Sequence, residues 1–208
     1  MQCRIVVFGR SPVVGRVKSR LAARLGRRAA CFWYRRLLEA TLRNALATGF
    51  PVELWVTPHP DHPWLRGLCR RHGVPLRRQP PGDLGQRMLQ ALRQPGRVVV
   101  IGADCPAVSA ETMTTAATGA LAQEDLLVVP AEDGGYVLVA ADQPPVRAFR
   151  RMPWGTSMVL RCTRQRVSRG GGCLQELGNA WDVDTLADLH RLLRRQGIRP
   201  WRRISGRC

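Results

Sequence analysis

The sequence predicts an α/β protein, a three-layer sandwich in which helices cover both faces of a mostly parallel central sheet. Short apolar runs alternate along the chain with longer segments of helical periodicity, as expected for repeated βαβ units. The run 97–101 is continuously apolar after its first residue, which is typical of a strand buried on both faces. A length of 208 residues suits one domain, so we expect residues 1–208 to fold as a single unit with a loose tail after about residue 197.

The individual elements follow from the same patterns, taken in order. Strands are predicted at the apolar or alternating runs 4–9, 52–57, 75–78, 97–101, 126–129 and 136–140. Helices are predicted where apolar residues recur every three or four positions, at 28–48, 64–72, 84–92, 109–121 and from 186 onward. The turn at 132–135 makes the last two strands a hairpin, the one antiparallel departure, and 145–172 is predicted to be helical and irregular.

The chain is strongly basic, with 33 lysine and arginine residues against 15 acidic ones and a formal charge of +18. The basic residues occur in scattered pairs rather than in one block. Two interpretations stay open, a generally cationic surface or a site for a polyanion. We do not expect specific binding of nucleic acid.

Cysteine usage and hydropathy indicate the cell compartment. The seven cysteines are scattered without a C-x-x-C pair, which favours reduced thiols and argues against a zinc site. No apolar run is long enough for a membrane span, and MQCRIVVFG lacks the pattern of a signal peptide. We therefore expect a cytoplasmic protein without a membrane partner.

The only lysine, Lys18, lies in the stretch GRSPVVGRVKSRLAARLG directly after the first predicted strand. Ligands of α/β sheets bind beyond the carboxyl ends of the strands. Gly9 and Gly15 would allow close backbone approach, and the start of the following helix favours anions. Lys18 and Arg20 could then hold phosphate groups, the lysine as a compact point charge. A solvated surface lysine is the alternative, because the stretch matches neither the Walker pattern nor G-x-G-x-x-G.

Acidic residues are expected at the same edge of the sheet. Asp104 directly follows the strand VVVIG, and WDVDTLAD offers Asp182, Asp184 and Asp188. Carboxylate oxygens suit Mg²⁺ or Mn²⁺, which bridge to substrate phosphates. We prefer Asp182 as the second metal ligand, because Asp184 can favour the helix N-terminus and Asp188 fits a T-x-x-D capping box. A capping or turn role for Asp104 is the alternative.

The segment EDGGY is the third candidate. Asp133 could accept hydrogen bonds from hydroxyl groups or act as a base, and Tyr136 could line a pocket. Gly134 and Gly135 would either make space for a sugar ring or serve a tight turn. A plain hairpin turn explains the segment equally well.

These motifs together resemble a bacterial family of small GT-A-type proteins, long a domain of unknown function. Its members are often named as glycosyltransferases of the arsenosugar-biosynthesis type. The resemblance covers roughly residues 4–190, and its motifs occur in the family's order: GRSPVVGRVKSRLAARLG, GDLGQRM, IGADCPAV, PAEDGGYVLV, PWGT and WDVDT.

The resemblance implies a nucleotide-diphospho-sugar transferase fold, a nucleotide-sugar donor and a divalent metal ion at Asp104. We expect this ion to be Mg²⁺ or Mn²⁺ with a further ligand from Asp182 or Asp184, Asp182 being preferred, and we expect an unknown small acceptor. We expect Asp133 to be catalytic. The expected nucleotide and phosphate contacts are Gly9, Arg10, Gly15, Lys18, Arg20 and Gln86. The expected acceptor or sugar pocket consists of Gly134, Gly135, Tyr136, Trp154 and Thr156.

Two positions depart from the expected patterns. Gly102 stands where a glycosyltransferase D-x-D motif has its first aspartate, and Ser19 stands where a threonine is expected. The segment KSRLAARLG is also similar to a loop of 2-phospholactate guanylyltransferases, which use a nucleoside triphosphate. Glycosyl transfer is favoured, and nucleotidyl transfer and a non-catalytic polyanion-binding protein remain the alternatives.

Overall fold

The computed structural model describes residues 2–197. Within them the strands are β1 (Cys3–Arg10), β2 (Val52–Thr57), β3 (Leu76–Arg78), β4 (Arg97–Gly102), β5 (Leu126–Pro130), β6 (Tyr136–Ala141) and β7 (Leu174–Glu176). They form one sheet in the order β3-β2-β1-β4-β6-β5-β7, in which β6 alone runs antiparallel to its neighbours. The predicted α/β fold with a mostly parallel sheet is confirmed, and the tail expected to be loose lies outside the described residues.

Helices cover both faces of this sheet. They are α1 (Ser19–Leu25), α2 (Arg27–Leu46), α3 (Pro63–His72), α4 (Leu84–Leu92), α5 (Ala110–Thr118), α6 (Val159–Ser168) and α7 (Leu186–Arg195), with a 3₁₀ turn at Val146–Ala148. Successive residues of β1 point to opposite faces. Ile5 and Val7 belong to a core shared with α2, α3 and α5, whereas Val6 packs in a second core with α4 and α6. The two cores give the predicted three layers.

A third apolar cluster positions the C-terminal helix. Leu21 of α1, Leu37 of α2, and Leu189 of α7 pack together with Val183, which precedes α7. This packing places the segment before α7 beside the stretch that leads into α1. Two motifs more than 160 residues apart in the chain thereby meet.

The structure differs from the prediction at three places. The helix predicted from 28 is preceded by a separate α1, because Gly26 breaks the helix with a φ of 84°. The helix predicted to reach 121 ends at Thr118, where Gly119 caps it. Strand β7 was not predicted, since its sequence LQE carries no apolar alternation and forms only by pairing with β5.

None of the helices in residues 2–197 has the length and apolar character that crossing a membrane requires.

Candidate active site

The candidate site lies where the adjacent parallel strands β1 and β4 end. Phe8 of β1 is paired with Gly102 of β4, and the Ala103 N–H donates to the Phe8 carbonyl at 2.9 Å. Asp104 therefore follows β4 directly beside the point where the chain leaves β1 for the lysine loop (residues 11–18). This edge is where α/β sheets bind ligands.

Three carboxylates meet at this edge. The Val183 N–H donates to the Asp104 carbonyl at 3.1 Å, so the segment before α7 runs directly against the end of β4. Asp104, Asp182 and Asp184 each place one carboxylate oxygen within 4.8 Å of the others, and all three are half-buried. The structure thus brings the two preferred metal ligands together and adds Asp184, for which the sequence left a metal ligand and a helix-terminus role open. We call these three residues the carboxylate cluster.

Lys18 is buried inside the carboxylate cluster. Its backbone is left-handed, with a φ of 51°, at the position before α1, and its side chain is 4% exposed. Its Nζ lies 2.6 Å from Asp104 Oδ2 and 2.8 Å from Asp184 Oδ1. Burial alone would lower the pKa of Lys18, but the two carboxylates outweigh it and raise that pKa above its usual value. The lysine is therefore charged, and the alternative of a solvated surface lysine is wrong.

Asp182 has no ion pair within the described part of the chain. Burial, and then the charge of Asp104, raise its pKa to about 6, while Lys18 offsets part of the effect. A second cation, Arg20, reaches Asp184 Oδ2 at 3.4 Å but is 76% exposed. When all three acids are ionised, the buried part of the cluster carries more negative than positive charge. The oxygen ligands of the cluster and its excess negative charge both suit a divalent cation such as Mg²⁺ or Mn²⁺.

Two clefts meet at Asp104. The first, of about 290 Å³, lies between β1 and the lysine loop and is lined by Gly9, Arg10, Lys18 and Asp184 besides Asp104. We call it the lysine cleft. The second, of about 270 Å³, shares Phe8 and Asp104 with the first, lies between α4, β6 and the start of α6, and is mainly apolar. We call it the apolar cleft.

The apolar cleft collects most of the residues expected in the acceptor or sugar pocket. Its lining includes Asp182 together with Asp133, Gly135, Tyr136, Trp154 and Thr156. Gly134 does not line it. With a φ of 86°, Gly134 packs so closely on the next turn that a Cβ would lie 2.3 Å from the Ser157 carbonyl oxygen. One oxygen of Asp133 accepts the Gly135 N–H at 2.9 Å, which leaves its other oxygen for a ligand.

Three expected nucleotide contacts lie outside the walls of both clefts. The Gln86 side chain accepts the Asp83 N–H at 2.9 Å, and Asp83 accepts the Gln86 N–H at 2.8 Å, so the pair forms the capping box of α4. Gly15 provides a turn with a φ of 81° next to Arg27. Arg20 stands in solvent beside Asp184.

Sequence interpretation missed the groups that hold the end of β1. The Tyr34 hydroxyl accepts the Arg10 N–H at 2.6 Å and donates to the Arg10 carbonyl at 3.0 Å. Gln79 Nε2 donates to the Gly9 carbonyl at 3.0 Å and to the Trp55 carbonyl at 2.9 Å. These contacts join residues that are 24 to 70 positions apart in the chain, so no local sequence pattern predicts them. They fix the backbone from which the lysine loop departs.

Gly85 was also missed, although a D-x-x-Q capping pattern surrounds it. A Cβ on Gly85 would lie 2.1 Å from the Phe149 carbonyl oxygen and 2.8 Å from the Trp154 ring. Helix α4 can therefore approach the Trp154 indole closely only because this residue is glycine. The contact builds one wall of the apolar cleft.

Solved structures with the same architecture include a candidate nucleotide-diphospho-sugar transferase from Desulfovibrio desulfuricans G20, with 27% identity and a TM-score of 0.84 over 99% of this chain and 92% of that one. A nucleotidyl transferase from Methanothermobacter thermautotroptrophicus has 17% identity and a TM-score of 0.59 over 92% and 96% of the two chains. The inositol-1-phosphate CTP transferase from T. maritima has 12% identity and a TM-score of 0.54 over 96% and 98%. The last two similarities concern the fold alone.

No curated protein sequence matches this chain significantly. Residues 41–156 match the family described as "Uncharacterized protein conserved in bacteria (DUF2064)". This range contains Asp104, the EDGGY turn and Trp154 but neither the lysine loop nor WDVDT. The predicted resemblance is confirmed: the chain belongs to the DUF2064 family of bacterial proteins and has the fold of nucleotide-diphospho-sugar transferases.

Proposed function

We propose that this protein is a metal-dependent transferase that takes a nucleotide-activated sugar and moves the glycosyl group to a small acceptor. The broader class, an enzyme of the glycosyl- or nucleotidyltransferase kind, follows from its family and fold. The observation that carries the proposal is the carboxylate cluster with its buried lysine, placed where the lysine cleft and the apolar cleft meet. We propose further that residues 1–208 form a single domain.

Asp104, Asp182 and Asp184 would hold the metal ion, through oxygen ligands that suit Mg²⁺ or Mn²⁺. A divalent ion in such a site stabilises the negative charge that develops on a leaving diphosphate. The carboxylates themselves keep the site polar and exclude a competing anion until a cation is present.

Lys18 would contact the phosphates in the lysine cleft. An ammonium group has three N–H donors, and two of them point to Asp104 and Asp184. The third is available to a phosphate oxygen. Because the ion pairs hold the side chain in place, little conformational entropy is lost when phosphate binds. Arg10 lines the same cleft, and Arg20 stands outside it as a further positive charge.

Asp133 would act as the base on the acceptor side. The acceptor oxygen forms a bond to the anomeric carbon of the sugar, and the bond from that carbon to the diphosphate oxygen breaks with its electron pair. The hydroxyl proton passes to the carboxylate oxygen of Asp133 that the Gly135 N–H does not occupy. The position of Asp133 in the apolar cleft, which shares Asp104 with the lysine cleft, supports this role.

Nucleotidyl transfer is the second candidate. In that reaction the oxygen of a sugar phosphate attacks the α-phosphorus of a nucleoside triphosphate, and pyrophosphate leaves. Once a divalent ion offsets the carboxylates, the positive charge of Lys18 and Arg10 at the lysine cleft favours it, because a triphosphate carries more negative charge than a nucleotide sugar. The same residues would bind the ion and the phosphates.

The products separate the two reactions. The protein is incubated with Mn²⁺ and either nucleotide sugars with a panel of alcohols, or nucleoside triphosphates with a panel of sugar phosphates. Release of a nucleoside diphosphate in the first mixture supports glycosyl transfer, whereas pyrophosphate release in the second supports nucleotidyl transfer. If the protein neither binds nor converts any nucleotide sugar or nucleoside triphosphate, the transferase proposal is wrong.

Metal dependence is tested by calorimetry with Mn²⁺ and with EDTA. Asp104→Asn should keep the fold and lose the metal-dependent part of the nucleotide affinity, because the amide no longer carries the charge that holds the ion. Asp61→Asn is the matched control, since Asp61 is an exposed carboxylate in the loop before α3. The same affinity with EDTA as with Mn²⁺ would contradict the metal site.

Salt separates the transferase from a polyanion-binding protein. The charge of +18 attracts any polyanion at low salt, but such binding falls by roughly 10³- to 10⁵-fold between about 50 and 200 mM salt. Nucleotide binding by the ion, the lysine cleft and its backbone depends less on long-range charge. We expect micromolar nucleotide binding to persist at 200 mM salt while RNA binding disappears. Tight RNA binding at that salt concentration without any nucleotide affinity would favour the polyanion-binding protein.

A further inference from the structure

The wall of the apolar cleft has two chemically different parts. The carboxylates of Asp104, Asp133 and Asp182 form the charged part. The apolar part includes Leu84 and Val159, and also Phe8, Met88, Tyr136 and Trp154, which belong to the second core or pack against it. A ligand in this cleft therefore meets both carboxylates and apolar side chains.

The apolar walls are braced by neighbouring aromatic rings. Phe8 stacks on Trp55, with ring centroids 5.9 Å apart and planes inclined by 20°. Tyr136 and Trp154 meet edge to face, with centroids 6.4 Å apart. Each contact packs a ring of the cleft wall against a second aromatic ring, so the walls keep their orientation without a ligand.

Apart from the carboxylates, the polar side-chain atoms of the cleft are either hydrogen-bonded within the protein, as in Thr156, or buried without a partner among residues 2–197, as are the Tyr136 hydroxyl and Trp154 Nε1. The Thr156 hydroxyl donates to the Pro153 carbonyl at 2.8 Å and accepts the Met158 N–H at 3.3 Å. The Tyr136 hydroxyl is buried, and burial raises the pKa of Tyr136 above its usual value. Beyond the reach of the three carboxylates, a polyol in the cleft would lose water from its hydroxyl groups without receiving side-chain partners in exchange.

The rim of the cleft adds apolar surface that is open to solvent. Leu84, at the first position of α4, lines the cleft and is 45% exposed. An exposed large apolar side chain at the mouth of an apolar cleft gains free energy when a ligand covers it. A flat apolar group would cover Leu84 and Met88 while reaching Phe8 and Trp154.

We propose that the acceptor is an alcohol or phenol with a flat apolar ring. The ring would lie against Phe8, Met88 and Trp154 under Leu84, and its hydroxyl would face Asp133. This inference rests on the proposed glycosyl transfer and names the class of acceptor for it. The hydroxyl oxygen forms the bond to the anomeric carbon of the nucleotide sugar, the bond to diphosphate breaks, and the proton passes to Asp133.

The test is direct binding, which needs neither donor nor turnover. The probe is 2-phenylethanol, titrated by ligand-observed NMR and compared with glycerol and methyl glucoside. We expect it to bind at least about tenfold more tightly than either polyol, since only its ring gains from the apolar walls. Leu84→Ser should weaken its binding about five- to tenfold, the effect of burying roughly half of a leucine side chain. Phe32→Ser is the control, because Phe32 is 58% exposed on α2 and does not line the cleft.

Equal or tighter binding of the polyols would overturn the proposal, as would unchanged binding of 2-phenylethanol to Leu84→Ser. Displacement of the probe by a free nucleoside would also overturn it, because the cleft would then hold the base of the donor. If 2-phenylethanol binds as expected but nucleotides do not bind at all, the apolar cleft is a binding site for aromatic alcohols. The proposed transferase function is then wrong, and so is the role of the bound alcohol as its acceptor.

Discussion

Two buried cations lie at opposite ends of the same strand, β4, and they have opposite surroundings. Arg97 begins the strand with a side chain that is 1% exposed. Its Nε and Nη2 contact the two oxygens of Asp142 at 2.6 and 2.7 Å, and its Nη1 donates to the carbonyls of Ala116 and Gly119. Lys18 lies beyond the other end of the strand, against Asp104 and Asp184.

The difference lies in the balance of charge. Arg97 faces one carboxylate, and two backbone carbonyls accept hydrogen bonds from its Nη1, so the pair is closed and neutral. Lys18 faces two carboxylates and has Asp182 nearby as a third, so negative charge remains after the lysine is counted. A closed pair stabilises the fold, whereas an open one is prepared to receive another cation. The predictions below test this distinction, from the largest expected effect to the smallest.

Arg97→Met should give the largest loss of stability. The substitution leaves Asp142 and two carbonyl groups without their partner, and breaking a buried pair in this way costs about 3–5 kcal/mol of the free energy of unfolding. Denaturant unfolding measures it. Arg161→Met, an exposed arginine of α6 without an ion pair in residues 2–197, should change stability by less than about 0.5 kcal/mol. A loss below about 1 kcal/mol for Arg97→Met would show that the closed pair is not what stabilises this end of β4.

Lys18→Ala should affect ligand binding more than folding. A lost charge-assisted contact should weaken nucleotide binding by about 1.5–3 kcal/mol. Calorimetry in the presence of Mn²⁺ measures it, with Arg36→Ala on the exposed face of α2 as the control. Because the variant leaves the carboxylates without their lysine, Mn²⁺ should raise its melting temperature more than that of the unmodified protein. Equal, small losses of affinity in both variants would contradict the role of Lys18.

The pH dependence of stability should report the surplus carboxylate. The pKa of Asp182 is raised to about 6, so between about pH 4 and 6 this carboxyl group binds more protons in the folded protein than in the unfolded chain. Its contribution to stability without metal should therefore fall as pH rises through this window, by less than the roughly 1.4 kcal/mol per pH unit that one full proton would give. Asp182→Asn should flatten this part of the profile, and Asp61→Asn should not. A profile that is identical in Asp182→Asn would show that the cluster is not under electrostatic strain.

Arg20→Ala should have the smallest effect. Its pair with Asp184 spans 3.4 Å and its side chain is 76% exposed, so solvent screens the interaction. Such pairs contribute about 0–1 kcal/mol. Nucleotide titrations at 50 and 300 mM NaCl should show a small loss at low salt that vanishes at high salt. If Arg20→Ala weakened nucleotide binding as much as Lys18→Ala does, Arg20 rather than Lys18 would be the main phosphate contact.

Several site features could be predicted because they depend on neighbours in sequence. The T-x-x-D pattern before α7 predicts a capping box, and Thr185 and Asp188 form it, with the Thr185 N–H donating to Asp188 at 2.7 Å. Asp104 follows a continuously apolar run, so its place beyond the end of β4 was predictable too. Gln86 was instead expected to contact the nucleotide, although its D-x-x-Q pattern is equally local. Its side chain forms the capping box at the start of α4.

The sequence by itself determined the class of fold, most of the strands and helices, and which loops carry glycine, lysine and carboxylates. Hydrophobic period, capping and turn chemistry act over a few residues, so they can be recognised in the linear chain. Only the tertiary structure decided that β6 enters between β4 and β5, that Asp184 joins Lys18 across 166 positions, and that Arg97 is buried as a closed pair. These contacts depend on packing between distant segments, where charge balance and burial are set jointly by groups that no local pattern connects.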